Sequence, residues 1–204
     1  RLMSAPPPPT ARATALQPAP RFERLERLPA ADGWDIPEDP RPVVREVAVE
    51  RPRSAISRNA SPDLGFDRSV NPYRGCEHGC IFCYARPTHA WLGLSPGLDF
   101  ETRLIARPDA PAVLAAELRK PGYRPAPLAL GTNTDCWQPI EAKFRIARGL
   151  VQVLSDFGHP LTITTRSALI ERDLDLLAPM AARGLVEVGI SIGTLDAGLA
   201  RRME

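Results

Sequence analysis

Cys76, Cys80 and Cys83 stand close together in the order C-x3-C-x2-C, inside Asn71-Pro72-Tyr73-Arg74-Gly75-Cys76-Glu77-His78-Gly79-Cys80-Ile81-Phe82-Cys83-Tyr84-Ala85-Arg86. Thiolates are soft ligands, and a set of them selects zinc, copper(I) or an iron–sulfur cluster. Gly75 and Gly79 free the backbone to wrap such a set around one face of an inorganic core. A structural zinc site wants four closed ligands, and His78 or His89 is available as the fourth, which would give a structural or nucleic-acid-binding module. Cys136 is also available, and a four-cysteine set would hold an electron-transfer cluster. Cysteines that merely pack are the plain alternative, opposed by the polar Glu77 and His78 between them. Three ligands without an obvious fourth leave an open metal position, which is what catalysis needs. A [4Fe-4S] cluster with one uncoordinated iron can bind a chelating molecule there.

The composition sets the frame for this loop. Lys plus Arg is 26 and Asp plus Glu is 24, for a net charge of +2. That balance argues against a histone-like tail or a binder driven by polyanions. The basic residues are nearly all Arg, since Lys120 and Lys143 are the only lysines. No apolar run reaches the roughly 18 residues that would span a bilayer, so no membrane association is expected. The first residues, Arg1 to Pro6, hold no apolar signal-peptide core, so the expected location is cytoplasmic. Thiols then stay reduced, which favours metal ligands over disulfides.

Proline is unevenly spread: of 23 in the chain, 12 lie in residues 1–62. Residues 1–52 therefore read as a Pro-rich, largely disordered or extended lead, and residues 53–204 as one folded domain. Within the lead, Pro6 to Pro9 favour polyproline II, and Phe22, Leu25 and Leu28 suit a short helical turn. Val43 to Val49 has strand composition, and the bracketing Pro42 and Pro52 suit it to a sheet edge. Ser61 to Gly65 reads as a turn.

The later elements alternate. Leu128-Ala129-Leu130 reads as a buried strand. Ile140, Phe144, Ala147, Val151 and Leu154 step by 4, 3, 4 and 3 along one helix face, and Gly158-His159-Pro160 ends that helix. Leu161 to Thr165 is the next strand. Ser167 caps a helix carrying Ile170, Leu174 and Leu177, which Pro179 and Gly184 close. Val186 to Ile192 is a further strand, and a last helix begins after Leu195-Asp196. Strand spacing of 25 to 33 residues predicts right-handed βαβ units and a parallel sheet, an α/β fold with its chemistry at the carboxyl ends of the strands.

With a strand expected just before it and βα units after it, the cysteine loop resembles that of the radical S-adenosylmethionine superfamily. Cys76, Cys80, Phe82 and Cys83 fit its C-x3-C-x-aromatic-C motif. The wider NPYRGC–HGC–CYARP context is similar to the branch labelled DNA repair photolyases, to which spore photoproduct lyase is related. The resemblance runs from about Arg53 to Glu204. It implies a partial (βα)6-type barrel. The sequence stops within the fourth βα unit, so an N-terminal part of a longer enzyme is expected.

The resemblance also assigns roles. Cys76, Cys80 and Cys83 would hold a [4Fe-4S] cluster whose fourth iron is chelated by S-adenosyl-L-methionine. Reductive cleavage of that cofactor gives methionine and a 5′-deoxyadenosyl radical. An electron donor such as a flavodoxin or ferredoxin is implied, and DNA is the substrate by analogy alone, without support from the charge. Phe82 would lie near the adenine, with Tyr84 beside the last ligand, although core packing would also account for both.

At Gly131-Thr132-Asn133-Thr134-Asp135 the chain resembles the lyase's Cys-Thr-Ser-Asp segment. There Asn133, Thr134 and Asp135 would meet the cofactor amine or the substrate, and a helix cap is the alternative for Asp135. Thr165-Arg166-Ser167 resembles a Thr-Lys segment, so Arg166 would hold the cofactor carboxylate, bidentately. Ser191 matches a strand serine that contacts the cofactor; a serine merely filling the sheet is the alternative. The lyase's hydrogen-donor cysteine aligns with Thr132. Cys136 lies four residues later, replaces the proline of a usual Asp-Pro-Tyr-Gln-Pro, and is the candidate for a donor or thiyl role. His89 and Trp91 would line the substrate side or pack the loop.

Overall fold

Short aliphatic runs punctuated by Gly and Pro become strands, and the segments of helical period between them become helices. The structure is a computed structural model that describes residue 14, residues 16–23 and residues 44–203. In chain order the elements begin with β1 (Glu46–Val49), β2 (Ile56–Arg58), β3 (Arg68–Val70) and β4 (Tyr73–Arg74). A 3-10 helix over Arg86–Leu92 precedes α1 (Asp99–Thr102), β5 (Arg103–Ala106), α2 (Ala110–Leu118) and β6 (Leu128–Leu130). Next come α3 (Glu141–Phe144), α4 (Ile146–Asp156) and β7 (Leu161–Thr165). A 3-10 helix over Ala168–Asp173 leads into α5 (Leu174–Ala182), then β8 (Val186–Ile190) and α6 (Ala197–Met203).

The fold is mixed α/β. The main sheet runs β2-β3-β6-β7-β8, and β3, β6, β7 and β8 pair in parallel. β2 joins antiparallel at the edge, Ile56 opposite Val70. A smaller sheet, β1-β5-β4, has β1 parallel and β4 antiparallel to β5. The alternation of strands and helices from residue 128 onward is as the spacing predicts. In the second sheet β1 answers to the strand read at Val43 to Val49, whereas β5, with α1 and α2, has no counterpart in the sequence reading. No helix among the described residues is long and apolar enough to cross a membrane.

Burial explains why β6 reads as an unbroken apolar run. Leu128, Ala129 and Leu130 are all within 2% of full burial, covered on both faces. α4 contributes Ala147, Leu150, Val151 and Leu154, all fully buried, to the same core. Each Leu or Val contributes roughly 1.5–3 kcal/mol when removed from water.

Three boundaries differ from the sequence reading, each for a physical reason. The helix predicted over Ile140 to Leu154 is two helices, because Arg145 takes a left-handed conformation (φ 53°). Glu141 makes the break favourable: its carboxylate accepts the backbone N–H of Ala147 at 3.0 Å and of Arg148 at 3.2 Å, capping the start of α4. Pro179 lies inside α5 rather than closing it. The stop comes at Gly184 (φ 66°), where Leu185 N–H returns to the Met180 carbonyl at 3.0 Å. Ser167 does cap its segment, accepting Leu169 N–H, but a 3-10 turn comes first. The last strand ends at Ile190, so Ser191 follows it, although Ser191 N–H still bonds the Thr165 carbonyl at 2.8 Å.

Of the residues read as the lead, Pro6 to Pro9, Leu25, Leu28 and Val43 lie outside the described residues. Glu46–Val49 is a strand at the edge of the small sheet, as Pro42 and Pro52 imply. Phe22 packs on Trp91, with ring centroids 4.5 Å apart. The Leu16 carbonyl accepts Leu98 N–H at 3.0 Å, and Ser95 Oγ donates to the Pro18 carbonyl at 2.5 Å.

Candidate metal centre

The cysteine loop leaves β4 and must turn sharply to present three thiols on one side. Gly75 (φ 76°) makes the first turn, in a place where a Cβ would stand 2.6 Å from Leu104 and 2.8 Å from the Phe100 carbonyl. Only glycine suits both the angle and the space. Cys76 N–H then bonds the Phe100 carbonyl at 2.9 Å, and Cys83 N–H returns to the Cys80 carbonyl at 3.2 Å. None of the four cysteines is in a disulfide.

Two buried polar side chains hold the loop from opposite sides. Arg86 donates from Nε to the Cys80 carbonyl (2.9 Å) and from Nη2 to the Gly79 carbonyl (2.6 Å). Its charge is paired with buried Glu101 at 2.5 Å, and its guanidinium lies over the Phe100 ring. Gln138, fully buried, bonds the backbone on either side of Cys76, at Gly75 and Glu77. Neither residue was singled out from the sequence. The available signal was an arginine three residues past Cys83, and an amide wedged between Trp137 and Pro139 where the surroundings are apolar.

Cys76, Cys80 and Cys83 line one cavity of about 270 Å³ together with His78, Phe82, Tyr84, Gly131, Asn133, Thr134, Asp135, Thr164, Thr165, Arg166 and Ser191. The carboxyl ends of β6 and β7 and the residue after β8 form its far wall, where a parallel sheet gathers chemistry. A second cavity of about 580 Å³ adjoins it, sharing Tyr84, Gly131, Asn133 and Thr164, and lined further by Arg58, Asn59, Phe66 and Asn71.

The residues expected to meet a cofactor are therefore brought together, each with a definite environment. Phe82 and Tyr84 are 48% and 74% exposed, which removes core packing as their explanation. Tyr84 donates its hydroxyl to the Thr132 carbonyl, and the Arg166 guanidinium lies 5.4 Å from the Phe82 ring centre. Thr134 is buried, its hydroxyl on the Tyr73 carbonyl at 2.9 Å, and Asn133 N–H bonds the Asn71 side chain. Asp135 acts as a tie. It accepts the Thr165 hydroxyl (2.7 Å), Arg166 N–H (2.9 Å) and Trp137 N–H (2.8 Å), with His78 Nε2 at 3.4 Å. Burial opposes its charge, yet these donors hold the carboxyl below its ordinary range. Asp135 thus bonds the turn that follows β6 rather than capping a helix, since α3 begins only at Glu141.

Three residues stand apart from the cavity. Cys136 is fully buried in the apolar core, and burial drives its thiol well above the ordinary range. His89 is buried, with Nε2 2.9 Å from the Arg103 carbonyl and its ring edge-on to Phe100, and burial lowers its pKa. Trp91 is 75% exposed against Phe22. Of the two histidines weighed as a zinc ligand, only His78 lines the cavity.

A zinc ion needs its donors about 2.0–2.3 Å from one point. Among the described residues, no three His, Cys, Asp or Glu side chains are grouped to hold a single ion. The three thiols instead border a cavity. Cys76, Cys80 and Cys83 are the soft donors that would hold an iron–sulfur core at this cavity, and the aromatic and polar groups lining it would be left for an organic ligand. Burial pushes the Cys76 thiol up to about 12, so a ligating Cys76 would release its proton to solvent as the metal bound.

No family model matches the chain, and no solved structure matches it. An uncharacterized protein of Mycobacterium tuberculosis strain H37Rv is 43% identical over 154 residues, which is 74% of this chain and 45% of that protein. An uncharacterized protein of Mycobacterium bovis matches to the same extent. An uncharacterized protein of Methanocaldococcus jannaschii is 26% identical over 135 residues, 66% of this chain and 48% of its own length. The chain spans about half the length of the curated relatives it matches.

Proposed function

We propose that this chain carries the cluster-binding part of a radical S-adenosylmethionine enzyme, with a [4Fe-4S] cluster on Cys76, Cys80 and Cys83, built on a partial (βα)6-type barrel. The observation that carries the reading is that three cysteines from one loop share a single cavity with the carboxyl ends of β6 and β7. Held by these three thiolates, the cluster would supply the electron for reductive carbon–sulfur cleavage of S-adenosylmethionine.

The chain's own groups divide the work around it. Phe82 offers an exposed ring for the adenine face. Arg166, at the carboxyl end of β7, offers a guanidinium for the cofactor carboxylate. Asn133 and Ser191 offer hydrogen bonds on the same wall, and Asp135 keeps the β6 and β7 ends in register. The adjoining cavity beyond Tyr84 and Gly131 is where a substrate would await hydrogen abstraction. The electron comes from a low-potential donor such as a flavodoxin or ferredoxin.

The test is anaerobic reconstitution with iron and sulfide, then reduction and addition of S-adenosylmethionine. Iron and sulfide in near-equal amounts and release of 5′-deoxyadenosine are expected. Colourless protein holding one zinc and no iron would replace this reading with a structural zinc module.

A further inference from the structure

Gln138 is wholly buried, and both ends of its amide are spent on the backbone of the cysteine loop. Nε2 donates to the Gly75 carbonyl at 3.1 Å, and Oε1 accepts Glu77 N–H at 2.9 Å. These two peptide groups flank Cys76, so one side chain brackets one candidate ligand from a turn more than sixty residues away in sequence.

The turn that carries Gln138 is itself fixed. Trp137 N–H bonds Asp135 at 2.8 Å, the Trp137 indole donates to Asp173 at 2.9 Å, and Glu141 N–H bonds the Gln138 carbonyl at 2.9 Å. The amide therefore has little freedom to leave the loop.

The peptide N–H groups around Cys76 are then allocated. Its own N–H goes to the Phe100 carbonyl and that of Glu77 to Gln138. Hydrogen bonds to ligand sulfurs help to set a cluster's reduction potential. Partners behind the ligands orient them, and changing one costs roughly 10–100-fold in metal affinity or activity.

We propose that Gln138 is a positioning residue for the metal centre: it fixes Cys76 against the cavity and withholds the Glu77 N–H from the ligand sulfur. The inference rests on the proposed function. It requires an amide, since leucine satisfies neither backbone group and glutamate satisfies only the Glu77 N–H.

The test compares full-length wild type, Gln138→Glu and Gln138→Leu after anaerobic reconstitution. Thermal unfolding of each metal-free protein is the control. Both variants are expected to take up iron and sulfide but to lose iron to a chelator about ten-fold faster than wild type. The reduction potential should rise in Gln138→Leu, as a freed N–H turns to sulfur, and fall in Gln138→Glu, as a carboxylate is added. If Gln138→Leu fails to fold, the near-isosteric Gln138→Glu carries the comparison. Variants with wild-type potential and wild-type iron release overturn the inference. Wild-type protein that takes up no iron and sulfide overturns the proposed function, and this inference with it.

Discussion

Cys80 and Cys136 carry the same thiol in opposite surroundings, and that difference sets their expected roles. Cys80 borders the cavity, whereas Cys136 is enclosed in the apolar core beside Trp137. Cys80→Ala is expected to abolish iron and sulfide uptake. Cys136→Ala should keep it, at a cost of about 1 kcal/mol in stability for the volume lost. Iron analysis with visible absorption separates the two. Loss of the cluster in Cys136→Ala would instead support a four-cysteine electron-transfer site.

The cavity's cysteines were legible because spacing alone brings C-x3-C-x2-C together. Arg86 and Gln138 were not, because their work is with backbone groups of a loop whose path depends on Gly75. Periodicity carries no mark of a side chain that bonds a distant peptide.

At the scale of elements, α4 packs against α2 and α5 and shares one hydrophobic core with β6 and β7. Leu150 is fully buried in that core. Leu150→Ala is expected to cost about 2–5 kcal/mol by denaturant unfolding, because a packed interior does not close over the missing atoms. A loss below 1 kcal/mol would mean that the helix is not seated as described. The face of this helix was readable from Ala147, Val151 and Leu154, which repeat at helical spacing. Its start was not, because the residue that caps it, Glu141, lies before the break at Arg145. The small sheet was unreadable for a related reason. β1 finds β5 more than fifty residues away, Glu46 opposite Arg103, and nothing local announces that pairing.

Across the whole molecule, one buried polar network ties the β4 end to the helices. Tyr73 donates its hydroxyl to Glu141 at 2.5 Å, Arg172 reaches both Glu141 and Asp173 at 2.8 Å, and Arg148 reaches Asp173 at 3.0 Å. Burial opposes the charge on Asp173, but the bonds from Arg172, Trp137 and Arg148 outweigh it and hold the carboxyl below its ordinary value. A carboxyl depressed in the folded state stabilises fully above its unfolded value of about 3.9, and that stabilisation is lost as pH falls through the lower folded value. Asp173→Asn is therefore expected to lose stability at neutral pH and to show a shallower decline between pH 5 and pH 3 in denaturant titrations. An unchanged acid limb would place the pH dependence elsewhere.

The far side of the main sheet behaves differently from this guarded interior. β8 is its last strand, and Val188, Ile190 and Ile192 are 40%, 54% and 65% exposed. Among the described residues β8 pairs only with β7, and the other backbone edge of such an apolar strand is where a further strand can add. A strand laid along that edge, from the same polypeptide or from another, would extend the parallel sheet and take these apolar side chains out of water.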